Sequence, residues 1–134
     1  MIDPKTWTLS MRTTAAALLL LFAGWITLHL LPWWGSLIPA LIVGLWLLDR
    51  HWQAFLVGFS ATGAAWLSQA LYIHIANEGL LTSRIADLLL IGSPWAILFT
   101  TFLIGALLGG IGTWTGAALG AVWRQSGQVS SIKT

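Results

Sequence analysis

Apolar residues in this chain do not alternate with polar ones. They come in long runs closed by short polar punctuation. The first run, TTAAALLLLFAGWITLHLL, covers Thr13–Leu31. At a rise of about 1.5 Å per residue it just matches a hydrocarbon core of about 30 Å. Pro32 stops it, and PWWGS predicts a turn with Trp33 and Trp34 at the interface, where an indole finds both an apolar and a wet neighbour. The second run, LIPALIVGLWLL, ends at Leu48 ahead of Asp49, Arg50 and His51. It is short for a span, so it predicts either a steep crossing through a thinned bilayer or a re-entrant hairpin. The third run, Trp52–Ala76, spans comfortably and ends on Asn77-Glu78-Gly79. In LLTSRIADLLLI, Leu80–Ile91, Arg84 and Asp87 stand three apart on one face with leucine and isoleucine around the rest. That pattern predicts a short helix lying in the interface. Pro94 opens the last run, which Arg124 closes, and the polar residues from Gln125 to Thr134 predict a loose tail.

These elements predict an all-α integral membrane protein. Its core is a four-helix transmembrane bundle with spans at 13–31, 35–48, 52–76 and 94–123, and a short interfacial helix at 80–91 lies between the third and fourth spans. Residues 1–12 form a basic arm, and residues 124–134 a flexible tail. The arm ahead of an apolar run could also serve as a secretory signal, but no small-x-small cleavage pattern follows it, so we expect a retained anchor. The segments PWWGSLIPALIVG and PWAILFTTFLIG echo each other faintly, as a duplicated hairpin would.

Composition agrees with the pattern. Of 134 residues, 57% are hydrophobic and 7% charged, against about 25% charged in a soluble domain. So few charges could not cover the surface of a soluble fold. The absence of cysteine excludes disulfides, thiolate metal sites and cysteine nucleophiles. The net charge of +2 rests on scattered residues and suggests no nucleic-acid partner. In the four-span topology Lys5, Arg12, Arg50, Arg124 and Lys133 share one side and Arg84 stands alone on the other. The basic side is the cytoplasmic one, which places both termini in the cytoplasm and the chain in the cytoplasmic membrane.

The last run is also the richest in glycine. Gly105, Gly109, Gly112, Gly116 and Gly120 advance by four, three, four and four residues and keep to one helical stripe, which Ala106, Ala117 and Ala121 widen. Apolar burial adds little between helices in lipid. Association rests instead on close contact, which small residues permit. The stripe therefore predicts a packing face. Ser60, Ala64 and Ser68 on the third run, beside a second row of Ala61 and Ala65, offer a matching surface. The partner could equally be a second copy of the chain.

Polar groups at membrane depth are costly and are read for function first. No Asp, Glu, Lys or Arg stands mid-span, which argues against a carboxylate-based proton carrier and a voltage sensor. His29 and His74 come to similar depth near the outer ends of the first and third spans, where two imidazoles could ligate one haem iron or a metal. A lone histidine more often bonds a nearby carbonyl or reaches the headgroups. Glu78 and Arg84 could form a docking pair or the mouth of a polar site, with Gln69 a further candidate ligand. Trp25, Trp66 and Trp114 each need an acceptor inside the bundle, and Gln69 would serve, as would a quinone pocket. Thr100, Thr101, Thr113 and Thr115 can bond back to their own helix and carry no assigned chemistry. No phosphate loop, paired His-Glu motif or Ser-His-Asp set is present, so we expect no enzyme. The expectation is a helix-packing accessory subunit or homo-oligomer held by the glycine-rich fourth helix, with lipid and itself or another membrane subunit as partners and no resident cofactor. The alternatives are a transporter or channel subunit with a pathway between copies, and a redox subunit binding haem or quinone through His29 and His74.

Overall fold

A computed structural model describes the backbone of residues 8–132 and the side chains of residues 8–126. Among them are five α-helices and no strand: α1 Leu9–Leu30, α2 Leu37–Leu47, α3 His51–Ala76, α4 Leu80–Leu88 and α5 Pro94–Ile132. Three of these helices, α1, α3 and α5, are long and apolar enough to cross a membrane. The arm's first residues and the last two of the tail lie outside the described residues. The remainder of the expected loose tail is helical, because α5 runs past Trp123 to Ile132 without meeting a proline.

Local chemistry sets the breaks. Leu31 is extended ahead of Pro32, and its N–H closes α1 on the Thr27 carbonyl at 2.7 Å. Trp33–Ser36 then forms a 3₁₀ turn before α2 begins. Pro39 accounts for that: it has no N–H to give the Gly35 carbonyl and its ring would collide there, so regular α-helix cannot extend back through Gly35. Helix α3 ends in a Schellman motif, with Gly79 N–H on the His74 carbonyl at 2.8 Å and Glu78 N–H on Ile75 at 3.2 Å. Glu78 takes the left-handed conformation usually left to glycine, at φ 54°. The motif recurs after α4, where Leu90 is left-handed and Ile91 N–H bonds Ala86 at 2.9 Å.

The chain zigzags. Gly24 and His29 of α1 lie beside Ala65 and Gln69 of α3, so α1 and α3 run parallel. Between them α2 returns, and Asp49 just beyond its end meets Arg12 in the first turn of α1. Helix α5 runs antiparallel to α3, pairing Trp95 with His74 at one end and Thr113 with Ala54 towards the other. It packs against both α3 and α2, and α1 packs against α3 as well.

The interior is built from small residues. Ala16, Ala40, Ala54, Ala61, Ala65, Ala106 and Ala117 are buried, and the largest fully buried side chains are Leu20, Thr62 and Thr113. Large apolar groups such as Phe22, Trp46, Phe99 and Trp123 point outward. A soluble domain sorts its side chains the other way, because water drives large apolar groups inward. Here close backbone approach decides what is inside, as it does between helices in lipid.

Candidate functional site

The glycine stripe lies against two neighbours within the same chain. A Cβ on Gly105 would stand 2.7 Å from the Trp66 Cβ of α3, and one on Gly109 would run into Thr62 and the Gly58 carbonyl. Further along, Gly112 faces Ala40 of α2 with 2.8 Å for a Cβ, Gly116 faces Leu41 and Leu45, and Gly120 faces the Leu45 carbonyl at 2.6 Å. The α3 residues buried against α5 include Ala54, Gly58, Thr62 and Gly63. Ser60 and Ser68, expected on that row, are exposed, and Ala64 is only half-buried. The two serine hydroxyls return to their own helix, Ser60 to Leu56 and Ser68 to Ala65, both at 2.8 Å. The row that packs is therefore turned round α3 from the Ser60–Ala64–Ser68 row. Both rows are lined with small residues, and the back-bonded serines carry no cost on the outside.

One threonine in this seam went unassigned in the sequence. Thr113 is fully buried, and its hydroxyl lies 2.7 Å from the Ala54 carbonyl of α3 and 2.8 Å from Gly109 of its own helix. Its position on the strip of Gly109, Gly112 and Gly116 was the available signal, because a hydroxyl on a packing face must find a partner there.

The charged groups gather at the two ends. Asp49 joins α1 and α5: its Oδ2 accepts from Arg12 Nη1 at 2.6 Å, and its Oδ1 lies 3.1 Å from Arg124 Nη2. Arg124 Nη1 reaches the Leu45 carbonyl at 3.4 Å, one of the last-turn carbonyls of α2 that have no partner within the helix. These are the two ion pairs among the described residues, and Glu78 and Arg84 do not form a third. Glu78, Arg84 and Asp87 are exposed around α4 at the opposite end.

The two histidines take separate partners. His29 stacks on Trp25 with centroids 4.5 Å apart, and its Nδ1 lies 2.8 Å from Gln69 Nε2. His74 Nδ1 bonds the hydroxyl of Thr82 on α4, which also lies 3.2 Å from the Gly79 carbonyl. The ring lies below Gly79 and beside Trp95, pinning α4 to α3 and α5. Gln69 and His74 stand five residues apart, about 140° round α3, which puts the two imidazoles on different faces. No group of three or more His, Cys, Asp or Glu that could hold a metal occurs among the described residues.

One cleft carries unpaired polar groups. It encloses about 300 Å³ where α1, α3, α5 and the 3₁₀ turn meet, and its lining includes Leu28, Trp33, Trp66, Gln69 and Thr101. Trp66 Nε1 and Gln69 Oε1 are buried beside it without a hydrogen-bond partner. Gln69, one of the acceptors that could have served, places its amide nitrogen on His29 Nδ1 and does not accept from Trp66. An indole N–H and an amide oxygen left together in an apolar wall are suited to a group that both accepts and donates, such as a hydroxyl.

No family model matches the chain, and no curated protein or solved structure matches it.

Proposed function

We propose that the chain is a four-span integral membrane protein that serves as a packing subunit of a membrane assembly. The observation that carries the topology is Asp49 between Arg12 and Arg124. It supports a second run that crosses the bilayer rather than re-entering, since α2 leaves from the His29 end and finishes beside the start of α1. Its length agrees: the 3₁₀ turn rises about 2.0 Å per residue, so Trp33–Leu47 covers about 24 Å. Both termini then share the basic, cytoplasmic side, and α4 lies in the opposite interface with Arg84 and Asp87 toward water.

The glycine strip is taken up by α2 and α3, so association with another subunit or a second copy falls to the outward faces. The most distinctive is an aromatic row from Trp52 through Phe55 and Phe59 to Phe102 and Phe99, with successive centroids 5.8 to 6.5 Å apart. Topology is tested by single cysteines, which the cysteine-free chain accepts without background. Ser10→Cys, Arg50→Cys and Ser126→Cys should label from the cytoplasmic side and Glu78→Cys from the other. Labelling of positions 10 and 50 from opposite sides refutes four spans. The subunit reading predicts a stoichiometric partner, or a second copy, that Phe59→Ala with Phe99→Ala releases. A chain that stays alone in native membranes refutes it.

A second reading rests on the unpaired Trp66 N–H and Gln69 oxygen: the cleft takes a hydroxylated amphiphile such as a quinol. Organic extracts of the purified protein should then carry a stoichiometric quinone absorbance, reduced in Gln69→Leu.

A further inference from the structure

At the Asp49 end, α2 and α5 part to leave an open groove of about 400 Å³, lined by Leu45, Trp46, Gly120, Trp123 and Arg124. We propose that this groove holds an acidic phospholipid, one acyl chain lying between the two indoles and the headgroup oxygens on Arg124. The inference rests on the four-span reading only in placing this end at headgroup depth.

The volume suits a chain. A methylene is close in size to the roughly 30 Å³ share of a water molecule, so the groove takes about a dozen chain carbons. Its lining is mostly apolar, with Arg124 as the one charged side chain. Trp46 and Trp123 are 69% and 72% exposed, held out as amphipathic walls at the level where indoles favour the interface.

The rim is cationic and still has donors to give. A guanidinium carries five N–H bonds, and Arg124 spends one on Asp49 and a long one on the Leu45 carbonyl, with its side chain 48% exposed. The end as a whole is basic: Arg12, Arg50 and Arg124 face the single carboxylate of Asp49, a surplus of two positive charges among the described residues. A zwitterionic headgroup would bring its own cation onto that surplus, whereas an acidic one brings none. The other end has the opposite balance, with Glu78 and Asp87 against Arg84, so lipid selection by charge belongs to this end alone.

The test is native mass spectrometry of the full chain in mild detergent with equimolar phosphatidylglycerol and phosphatidylcholine of matched acyl chains. The wild type should retain the acidic lipid about fivefold over the zwitterionic one, the preference expected of one arginine near an anionic surface. Arg124→Gln should bring the ratio towards one. Because that variant also frees Asp49, Arg50→Gln serves as the companion that leaves both ion pairs intact, and it should lower the ratio as well. Arg84→Gln should leave it unchanged. Trp46→Ala with Trp123→Ala should reduce retention of both lipids together. Equal retention by the wild type, a ratio indifferent to both arginine variants, full retention in the tryptophan double variant, or a second copy crosslinked into the groove overturns the proposal. The ratio is read in detergent and the topology by labelling in membranes, so either can fail without the other.

Discussion

A methyl group added at Gly116 has no space to enter. Its Cβ would stand 2.9 Å from the Leu45 nitrogen and 3.0 Å from the Leu41 carbonyl carbon, and closer still to the Leu41 oxygen. All three are backbone atoms of α2, and no rotamer change can clear them. Carbon atoms rest at about 3.5 to 4.0 Å, so α2 must retreat by at least about half an ångström. That retreat also opens the contacts of Gly112 with Ala40 and of Gly44 with Thr113. Forcing one methyl group into a closed interface costs roughly 1–3 kcal/mol. The opposing term is the better helix propensity of alanine, about 1 kcal/mol in water. It shrinks in lipid, where the separated helix must satisfy its backbone internally and stays helical.

Gly116→Ala should therefore lower the folding constant by roughly 5- to 150-fold, the equivalent of about 1–3 kcal/mol. Gly110→Ala is the control. A Cβ there meets the Phe55 ring at 2.8 Å, and a half-buried phenyl can turn away, so the cost should stay below about 1 kcal/mol. The assay is SDS titration in mild micelles, followed by circular dichroism, with the particle mass checked in parallel. If Gly116→Ala proves as stable as the wild type, or less costly than Gly110→Ala, α2 does not lie on this strip. If it leaves the monomer intact and dissolves an oligomer, the strip faces a second copy.

Other perturbations follow the same logic. Thr113→Val removes the hydroxyl between α5 and Ala54 and should cost about 0.6 kcal/mol, at most about 1.7, in the same titration, while Thr115→Val, whose hydroxyl serves only its own helix, should cost nothing measurable. Leu90→Gly relieves a left-handed leucine at φ 56° and should stabilise the end of α4 by about 1 kcal/mol, read as slower amide exchange at Ile91. Asp49→Asn should lower the unfolding free energy by up to about 1 kcal/mol for each lost pair and weaken the salt dependence of the unfolding midpoint. Thr82→Val should speed exchange across Leu80–Leu88 with α3 unaffected, since His74 loses its hold on α4.

The runs of apolar residues were enough to locate the helices, because in this chain breaks are chemical: Pro32, Pro94 and the polar step Asn77-Glu78-Gly79 each end or open an element. The spacing of glycines in the last run was equally legible. The facing side of α3 was not. An amphipathic helix in water declares its buried side by hydrophobicity, but α3 is apolar nearly all round. Ser60 and Ser68 look like packing residues until their hydroxyls are seen turned back on Leu56 and Ala65. Neither could spacing pair Gln69 with His29, because that bond depends on α1 and α3 running parallel, a consequence of α2 turning back between them.

The packing of α5 explains the short second run. At about 100° per residue, Gly105 and Gly109 lie within about 40° of each other on α5, whereas Gly110 and Thr113, which meet Phe55 and Ala54, stand about 140° and 80° round from Gly105. Helix α3 thus covers the strip near Gly105 and slides off it towards Thr113. Gly112, Gly116 and Gly120 are left bare by α3 at that level, and they are the ones that α2 covers. A helix starting earlier would compete with α3 for Gly109. The chain instead begins α2 after a tight turn at Gly35, where a Cβ would lie 2.5 Å from that of Leu31. The second run needs only enough length to cover the half of the strip that α3 vacates and to carry Asp49 down to Arg12 and Arg124.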